Sequence, residues 1–329
     1  MIGLLVTNRI REAIGDRIIA AAASAGNEVD FVLLPPDPAG RLPPEDLQRI
    51  DVAFFSGDLY PDGSRGFFAA AQGAPRLQWL HTFNAGIDAP VFGRIMANGT
   101  RITTSSGSTA VPIAQTLVTA LLMLARGFPE WLQSQHRREW EPRPGPPPPD
   151  LASQTLTVVG LGAIGTEIAR LGQALGLHVV GVRRTPVTGA EPIDEFITPD
   201  ALDTVLPRTD WLALAAPLTP ATEHMIDDRR LTLLPPTACL LNVGRGSLVD
   251  ESALIRSLSS GRLAGAYLDV FEEEPLPPDS PLWNFPNVII TPHNSSVSAG
   301  NEARTWDYFI QNFEAWIHGQ PLRNEVRPG

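Results

Sequence analysis

Three kinds of side chain in this 329-residue sequence could together reduce a carbonyl group. Arg245 stands between Gly244 and Gly246 in "LLNVGRGSLVDESAL". Carboxylates follow in "AYLDVFEEEP", at Asp269 and at Glu272, Glu273 and Glu274, and "VIITPHNSS" supplies an imidazole at His293. A cation clamps a substrate carboxylate, an imidazolium gives its proton to a carbonyl oxygen, and a carboxylate beside the ring keeps it charged. Such a set suits reduction of a 2-ketoacid. Taken singly, an arginine between glycines reads as a turn residue and an acidic run as a solvated loop. Each feature here follows an apolar run with the character of a strand, and ligands of open α/β sheets bind at the carboxyl ends of strands.

A reductase also needs a hydride source, and "LTVVGLGAIGTEIARLGQALGLHVVGVRRTP" (Leu156 to Pro186) offers a place for one. Gly160, Gly162 and Gly165 form G-x-G-x-x-G after the apolar run Leu156–Val159, with Ala163 and Ile164 in the same turn. The first glycine permits a tight strand-to-helix turn, the second admits a diphosphate, and the third lets helix and strand pack closely. A helix over Ile164–Leu175 and a strand over His178–Val182 are predicted next, so the motif has the context it requires. About twenty residues after the first glycine an NAD site usually carries an acidic residue for the ribose hydroxyls. Arg183, Arg184 and Thr185 stand there instead. A carboxylate repels a 2′-phosphate, whereas a guanidinium fork binds one, so the expected cofactor is NADP(H). NAD(H) beside two solvated arginines is the alternative.

Composition bounds the rest. With 43% hydrophobic and 19% charged residues the chain is an ordinary globular one, long enough for about two domains. A net charge of −11 argues against nucleic acid or an anionic membrane as partner. Cys239 is the single cysteine, which excludes an intramolecular disulfide and fits a reducing compartment; it reads as core packing. All 25 basic residues are arginine, which excludes Schiff-base chemistry and a lysine base. The N-terminus has no basic region ahead of its apolar run, and Val111–Ala125 is too short and polar for a bilayer, so the expected location is the cytoplasm. No His/Cys grouping has metal-ligand spacing, and no metal is expected.

The elements that must position these residues alternate. Strands are predicted at Ile2–Val6, Val29–Leu34, Asp51–Ser56, Leu77–Thr82 and Arg101–Ser105, with a helical stretch over Ile10–Ala25. A long helix over Val111–Arg126 leads to the proline-rich stretch Glu139–Asp150, read as a surface connector. A second series holds "LTVVGLG", "HVVGVRR", "DWLALAA", "ACLLNVG", "GAYLDVF" and "NVIITPH", and an amphipathic helix spans Asn301–Gly319. Strands alternating with helices indicate parallel sheets.

Along nearly its whole length the chain resembles the D-isomer-specific 2-hydroxyacid dehydrogenase family, through "GLGAIG", "PLTPATEHMID", "LLNVGRGSLVDESAL", "LDVFEEEPLPPDSPLW" and "NVIITPH" in that order. The resemblance implies two doubly wound α/β domains, a Rossmann cofactor domain (106–295) inserted into a flavodoxin-like substrate domain (1–105 plus 296–329). It implies Arg245 binding the substrate carboxylate and keto oxygen, His293 as acid/base, and Glu274 as its partner, with Glu272 and Glu273 at the surface. Asp269 would contact the nicotinamide carboxamide. Backbone at Pro217 and Val243 and the Thr222 hydroxyl would line the cofactor, and Ala85 and Gly86 would offer backbone N–H groups to the substrate. Two departures stand out: Asn84 where many members have a small residue, and Gln115 where a Glu is usual. His81, His136, His178, His224 and His318 lack an evident partner and read as structural.

A reductase of small 2-ketoacids, glyoxylate and hydroxypyruvate among them, is the expected activity. Homodimers are usual in the family, and the Val111–Arg126 helix with Trp131 and Trp140 is the expected interface. Formate-oxidising members lack the Glu partner, phosphite-oxidising ones use a lysine, and the long phosphoglycerate dehydrogenases need an additional domain. A short phosphoglycerate dehydrogenase-type enzyme and a non-enzymatic, nucleotide-sensing corepressor-like protein remain as alternatives.

Overall fold

Apolar runs of four or five residues form the strands, and because helices cover both faces of each sheet, these runs are almost continuously hydrophobic. The computed structural model describes residues 1–37, 40–87, 89–142 and 147–326. Two compact units result: Met1–Ser108 with the segment from Ser298 onward, and Thr109–Val297, which interrupts it.

The first unit holds β1 (Ile2–Val6), β2 (Val29–Leu33), β3 (Val52–Phe55), β4 (Trp79–Thr82) and β5 (Arg101–Thr104). All pair in parallel, in the flavodoxin-like order β2-β1-β3-β4-β5. Leu5, Ala53, Phe55, Leu80 and Ile102 pack on one face with Phe67 and Phe92 from the Ser64–Gly73 and Pro90–Ala97 helices. On the other face Leu4, Phe54 and Trp79 meet Ile10 and Ile18 of the Asn8–Ser24 helix and Phe309 and Phe313 of the Asn301–Ile317 helix. Phe309 stacks on Phe54 with ring centroids 4.4 Å apart. His81, fully buried beside this stack, bonds Thr103 Oγ1 at 2.7 Å and Ser105 Oγ at 3.0 Å, and burial pushes its pKa down to about 3.

The second unit holds β6 (Thr155–Val159), β7 (His178–Val182), β8 (Glu195–Ile197), β9 (Trp211–Leu214), β10 (Cys239–Asn242), β11 (Gly265–Leu268) and β12 (Val288–Ile290). The parallel order is β12-β11-β10-β9-β6-β7-β8, so the strand sequence reverses between β6 and β9. This is Rossmann topology, and the reversal is where such sheets bind dinucleotides. The Ala110–Arg126 helix buries Ala114, Leu117 and Leu121 in one cluster with Ile168 and Ala169 of the Ala163–Ala174 helix.

Several elements escaped the sequence pattern. Helices at Pro44–Leu47, Ser64–Gly73 and Pro90–Ala97 are short and flanked by Gly or Pro, and β8 is a three-residue edge strand. After Gly127, in the left-handed conformation that ends the long helix, a further helix runs Phe128–Arg137 with Pro129 in its first turn. Of the proline-rich stretch, residues 143–146 lie outside the described residues; the described positions on either side hold neither helix nor strand until Leu151. Among the described residues no single helix is long and apolar enough to cross a membrane, and Ala110–Arg126 meets Phe128–Arg137 at a 71° bend.

Candidate active site

Each motif of the second unit follows a strand of one parallel sheet, so all of them lie along its carboxyl edge. In spatial order these are His293 (after β12), Asp269 and Glu274 (β11), Arg245 (β10), Pro217 and Thr222 (β9), Gly160 (β6) and Arg183 (β7). Neighbouring strands are about 4.8 Å apart, which sets the spacing of this row.

The glycine turn has the form a dinucleotide diphosphate needs. Gly160 takes φ +98, and a Cβ on Gly165 would lie 1.9 Å from the Gly160 carbonyl oxygen, so neither position admits a side chain without movement. Gly162 differs: a Cβ there would meet nothing within 4 Å. Gly162 is also the N-cap of the Ala163–Ala174 helix, and no side chain caps that end. Open space in front of uncapped N–H groups, at the positive end of a twelve-residue helix, fits an anion. Further along the edge, Thr222 Oγ1 donates to Pro217 O at 2.7 Å, and Val243 is buried with its N–H on Leu214 O.

The loop after β7 is folded on itself. Arg183 donates from Nε to Thr185 O at 3.0 Å, and from Nη2 to Pro186 O at 2.5 Å and to Glu191 Oε1 at 3.1 Å. The Glu191 carboxylate also accepts from Thr188 N, Thr188 Oγ1 and Gly189 N. These bonds, those of Thr188 first, hold its pKa down to about 2. Arg184 and Thr185 are exposed.

Arg245, Glu274 and His293 are joined through their loops. Asn242 is buried at the end of β10; its Oδ1 accepts from Gly244 N and its Nδ2 donates to Arg245 O, which sets the turn carrying Arg245. Arg245 Nη1 donates to Gly244 O at 2.8 Å. A Cβ on Gly246 would fall 1.8 Å from the Phe271 carbonyl carbon, so the loops after β10 and β11 touch backbone to backbone. Phe271 N donates to Glu274 Oε1 at 3.0 Å, and Glu274 Oε2 lies 2.7 Å from His293 Nδ1. That contact leaves Nε2 as the nitrogen free for a substrate.

Asp269 is 2% exposed, and its carboxylate organises the His293 loop. Oδ1 accepts from Thr291 Oγ1 at 2.6 Å, Asn294 N at 2.8 Å and Ser295 N at 3.0 Å, and Oδ2 accepts from Ser295 Oγ. His293 has φ +50, a conformation that costs a residue with a Cβ about 1 kcal/mol or more. Its N–H, bonded to Asp269 O at 2.9 Å and Thr291 O at 3.0 Å, holds the ring there.

Other expected residues fall elsewhere. Ala85 and Gly86 belong to the first unit, in the loop after β4, where Asn84 N bonds Thr82 Oγ1 and Asn84 O accepts from Ser105 N. Cys239 is buried in β10, and burial pushes its thiol pKa up to about 12, so it is core rather than nucleophile. His178, His224 and His318 have partners that the sequence did not reveal. His224 Nε2 stands 3.0 Å from Glu272 Oε1, and His178 lies 3.8 Å from both Asp194 and Glu195. Sequence reasoning also missed Thr291, Ser295 and Glu191. The hydroxyls flanking His293 were a readable signal, whereas nothing in the pattern marked Glu191.

Comparison with known proteins agrees with this geometry. The family model described as D-isomer specific 2-hydroxyacid dehydrogenase, NAD binding domain, matches residues 118–295. A glyoxylate reductase of Thermofilum pendens is 33% identical over 254 residues, 75% of this chain and 74% of that protein. Glyoxylate/hydroxypyruvate reductase B of Pectobacterium atrosepticum is 32% identical, over 78% of this chain and 81% of its own. The crystal structure of a D-isomer specific 2-hydroxyacid dehydrogenase from Xanthobacter autotrophicus Py2, in complex with NADPH and MES, has a TM-score of 0.76 at 29% identity, covering 99% and 98% of the two chains. A matched NAD binding domain defines the class, a nicotinamide-dependent oxidoreductase. The family match runs past the glycine turn to the His293 loop. The chain belongs to the D-isomer specific 2-hydroxyacid dehydrogenase family.

Proposed function

We propose that the protein reduces small 2-ketoacids of the glyoxylate and hydroxypyruvate type to D-2-hydroxyacids, with NADP(H) preferred over NAD(H). The observation that carries this reading is the 2.7 Å contact between His293 Nδ1 and Glu274 Oε2. Glu274 accepts a hydrogen bond from Nδ1–H and fixes the ring, and Nε2–H gives its proton to the keto oxygen. Arg245 orients the substrate carboxylate and polarises the carbonyl. Ala85 and Gly86 contribute backbone N–H groups to the substrate carboxylate. A bound nicotinamide supplies the hydride for the keto carbon. Gly160, Gly162, Ala163, Ile164 and Gly165 hold its diphosphate. Pro217, Thr222 and Val243 line the cofactor, and Asp269 contacts its nicotinamide carboxamide.

Names of relatives support the substrate class, since two of them are glyoxylate reductases, one also a hydroxypyruvate reductase. Cofactor preference is supported by the absence of an acidic residue at Arg183–Thr185 and by the NADPH in the Xanthobacter structure. The test is a panel of 2-ketoacids with NADPH and NADH, followed by loss of cofactor absorbance. Turnover of glyoxylate or hydroxypyruvate with NADPH supports the reading. No turnover with any ketoacid, with tight cofactor binding, makes the protein a nucleotide sensor.

The reading includes a cytoplasmic homodimer that uses the Ala110–Arg126 and Phe128–Arg137 helices and the residues just after them, where Phe128, Trp131 and Trp140 are exposed. Light scattering after gel filtration decides it, and Trp131→Arg should shift a dimer towards monomer.

A further inference from the structure

Two adjacent arginines stand at the expected ribose site, and they are not in the same situation. Three of the five N–H donors of Arg183 are used inside its own loop, on Thr185 O, Pro186 O and Glu191 Oε1. Its charge is matched by Glu191, whose side chain is 11% exposed and takes four further hydrogen bonds from Thr188 and Gly189. Arg184 is exposed, and among the described residues its side chain makes no hydrogen bond or ion pair. A guanidinium that binds a phosphate bidentately must present two parallel N–H groups without first breaking an ion pair. Only Arg184 meets that condition.

We propose that Arg183 and Glu191 form an internal clasp that shapes the loop from Thr185 to Glu191, and that Arg184, with the Thr185 hydroxyl, selects the 2′-phosphate. Arg183 is then a positioning residue, and Glu191 one that acts through it. The same clasp keeps a carboxylate within the loop from reaching the ribose hydroxyls, because that carboxylate is saturated with donors from its own loop, backbone and side chain. The Arg184 half of the proposal rests on the NADP(H) reading above. The clasp does not.

The test measures dissociation constants of NADPH and NADH by fluorescence titration for the wild type, Arg184→Ala, Arg183→Ala, Glu191→Ala and the Arg183→Ala/Glu191→Ala double variant. Hydrogen exchange at the Thr188 and Gly189 amides of the cofactor-free protein is followed alongside. Arg184→Ala is expected to weaken NADPH about 10- to 100-fold, the worth of a charge-assisted pair, with NADH changed less than about twofold. Arg183→Ala and Glu191→Ala are expected to weaken both cofactors by one common factor of roughly 3 to 10, with the double variant no worse than either single. Glu191→Ala should also expose the Thr188 and Gly189 amides to exchange. If Arg183→Ala removes the preference for NADPH as Arg184→Ala does, or exchange at those amides is the same in Glu191→Ala, the clasp is wrong. A wild type without preference for NADPH overturns the Arg184 half and the cofactor reading together; the exchange rates then still decide the clasp.

Discussion

Glu274 Oε2 and His293 Nδ1 meet at 2.7 Å although nineteen positions separate them, because their loops leave two neighbouring strands of one parallel sheet. A ring bonded through Nδ1 has one tautomer and one direction for Nε2. Replacing His293 with Ala should lower kcat by about 10²- to 10⁴-fold, the usual worth of a positioned acid, while the dissociation constant for NADPH stays within about twofold. Glu274→Gln keeps the shape and loses the acceptor charge, and should lower kcat by about tenfold or more. Pre-steady-state rates for both variants check this. Near-wild-type turnover in His293→Ala would falsify the acid/base assignment.

Asp269 gives a prediction about stability. Its carboxylate receives two backbone N–H groups and two hydroxyls while buried. Asp269→Ala leaves both N–H groups without that acceptor and the Thr291 hydroxyl with Tyr267 alone, and should cost about 3–5 kcal/mol. Asp269→Asn keeps one oxygen in place and should cost about 1–2 kcal/mol. Urea denaturation separates the two, and equal losses would mean that the His293 loop is anchored some other way.

The glycine turn allows a paired test in which folding and binding come apart. Gly162→Ala puts a methyl group into open space, so the melting temperature should hold, while dinucleotide affinity drops about tenfold or more as the diphosphate loses its approach. Gly165→Ala drives a Cβ into the Gly160 carbonyl and should lower the melting temperature itself. Calorimetry with and without NADPH reads both effects. A Gly162→Ala protein with unchanged affinity would place the diphosphate elsewhere.

His81 sets a dependence on pH. Folding lowers its pKa from 6.5 to about 3, so below 6.5 the unfolded chain takes up a proton that the folded chain refuses. Its contribution is complete above pH 6.5 and is lost progressively as the pH falls towards 3. This residue alone should make the protein about 2–3 kcal/mol less stable at about pH 4.5 than at about pH 7. His81→Asn, which does not titrate, should flatten that slope. An unchanged slope in denaturation curves would show that other groups govern the acid limb.

Strand and motif positions were readable in the sequence because a parallel sheet covered on both faces writes each strand as a short apolar run. The candidate site residues Gly160, Arg245, Asp269 and His293 sit directly after those runs. Short helices such as Ser64–Gly73 and the edge strand β8 were not readable, since three to ten residues among glycines carry too little periodicity. Contacts made by residues far apart in sequence were equally hidden. That Asp269 holds Ser295, or that His224 pairs with Glu272, depends on which strands lie side by side. Arg183 and Arg184 look alike as letters and differ only in the direction that the Glu191 loop imposes.

The strand order has a consequence for how such a protein can change. The loop proposed to read the adenosine end follows β7, while Arg245, Glu274 and His293 follow β10, β11 and β12, with β6 and β9 in between. Three strand spacings, about 14 Å, divide β7 from β10. On the proposed reading, exchanging the segment from Arg183 to Glu191 for one with an acidic residue should alter which nucleotide is used without disturbing His293. Coenzyme choice and bond-making can evolve as independent traits on a single scaffold.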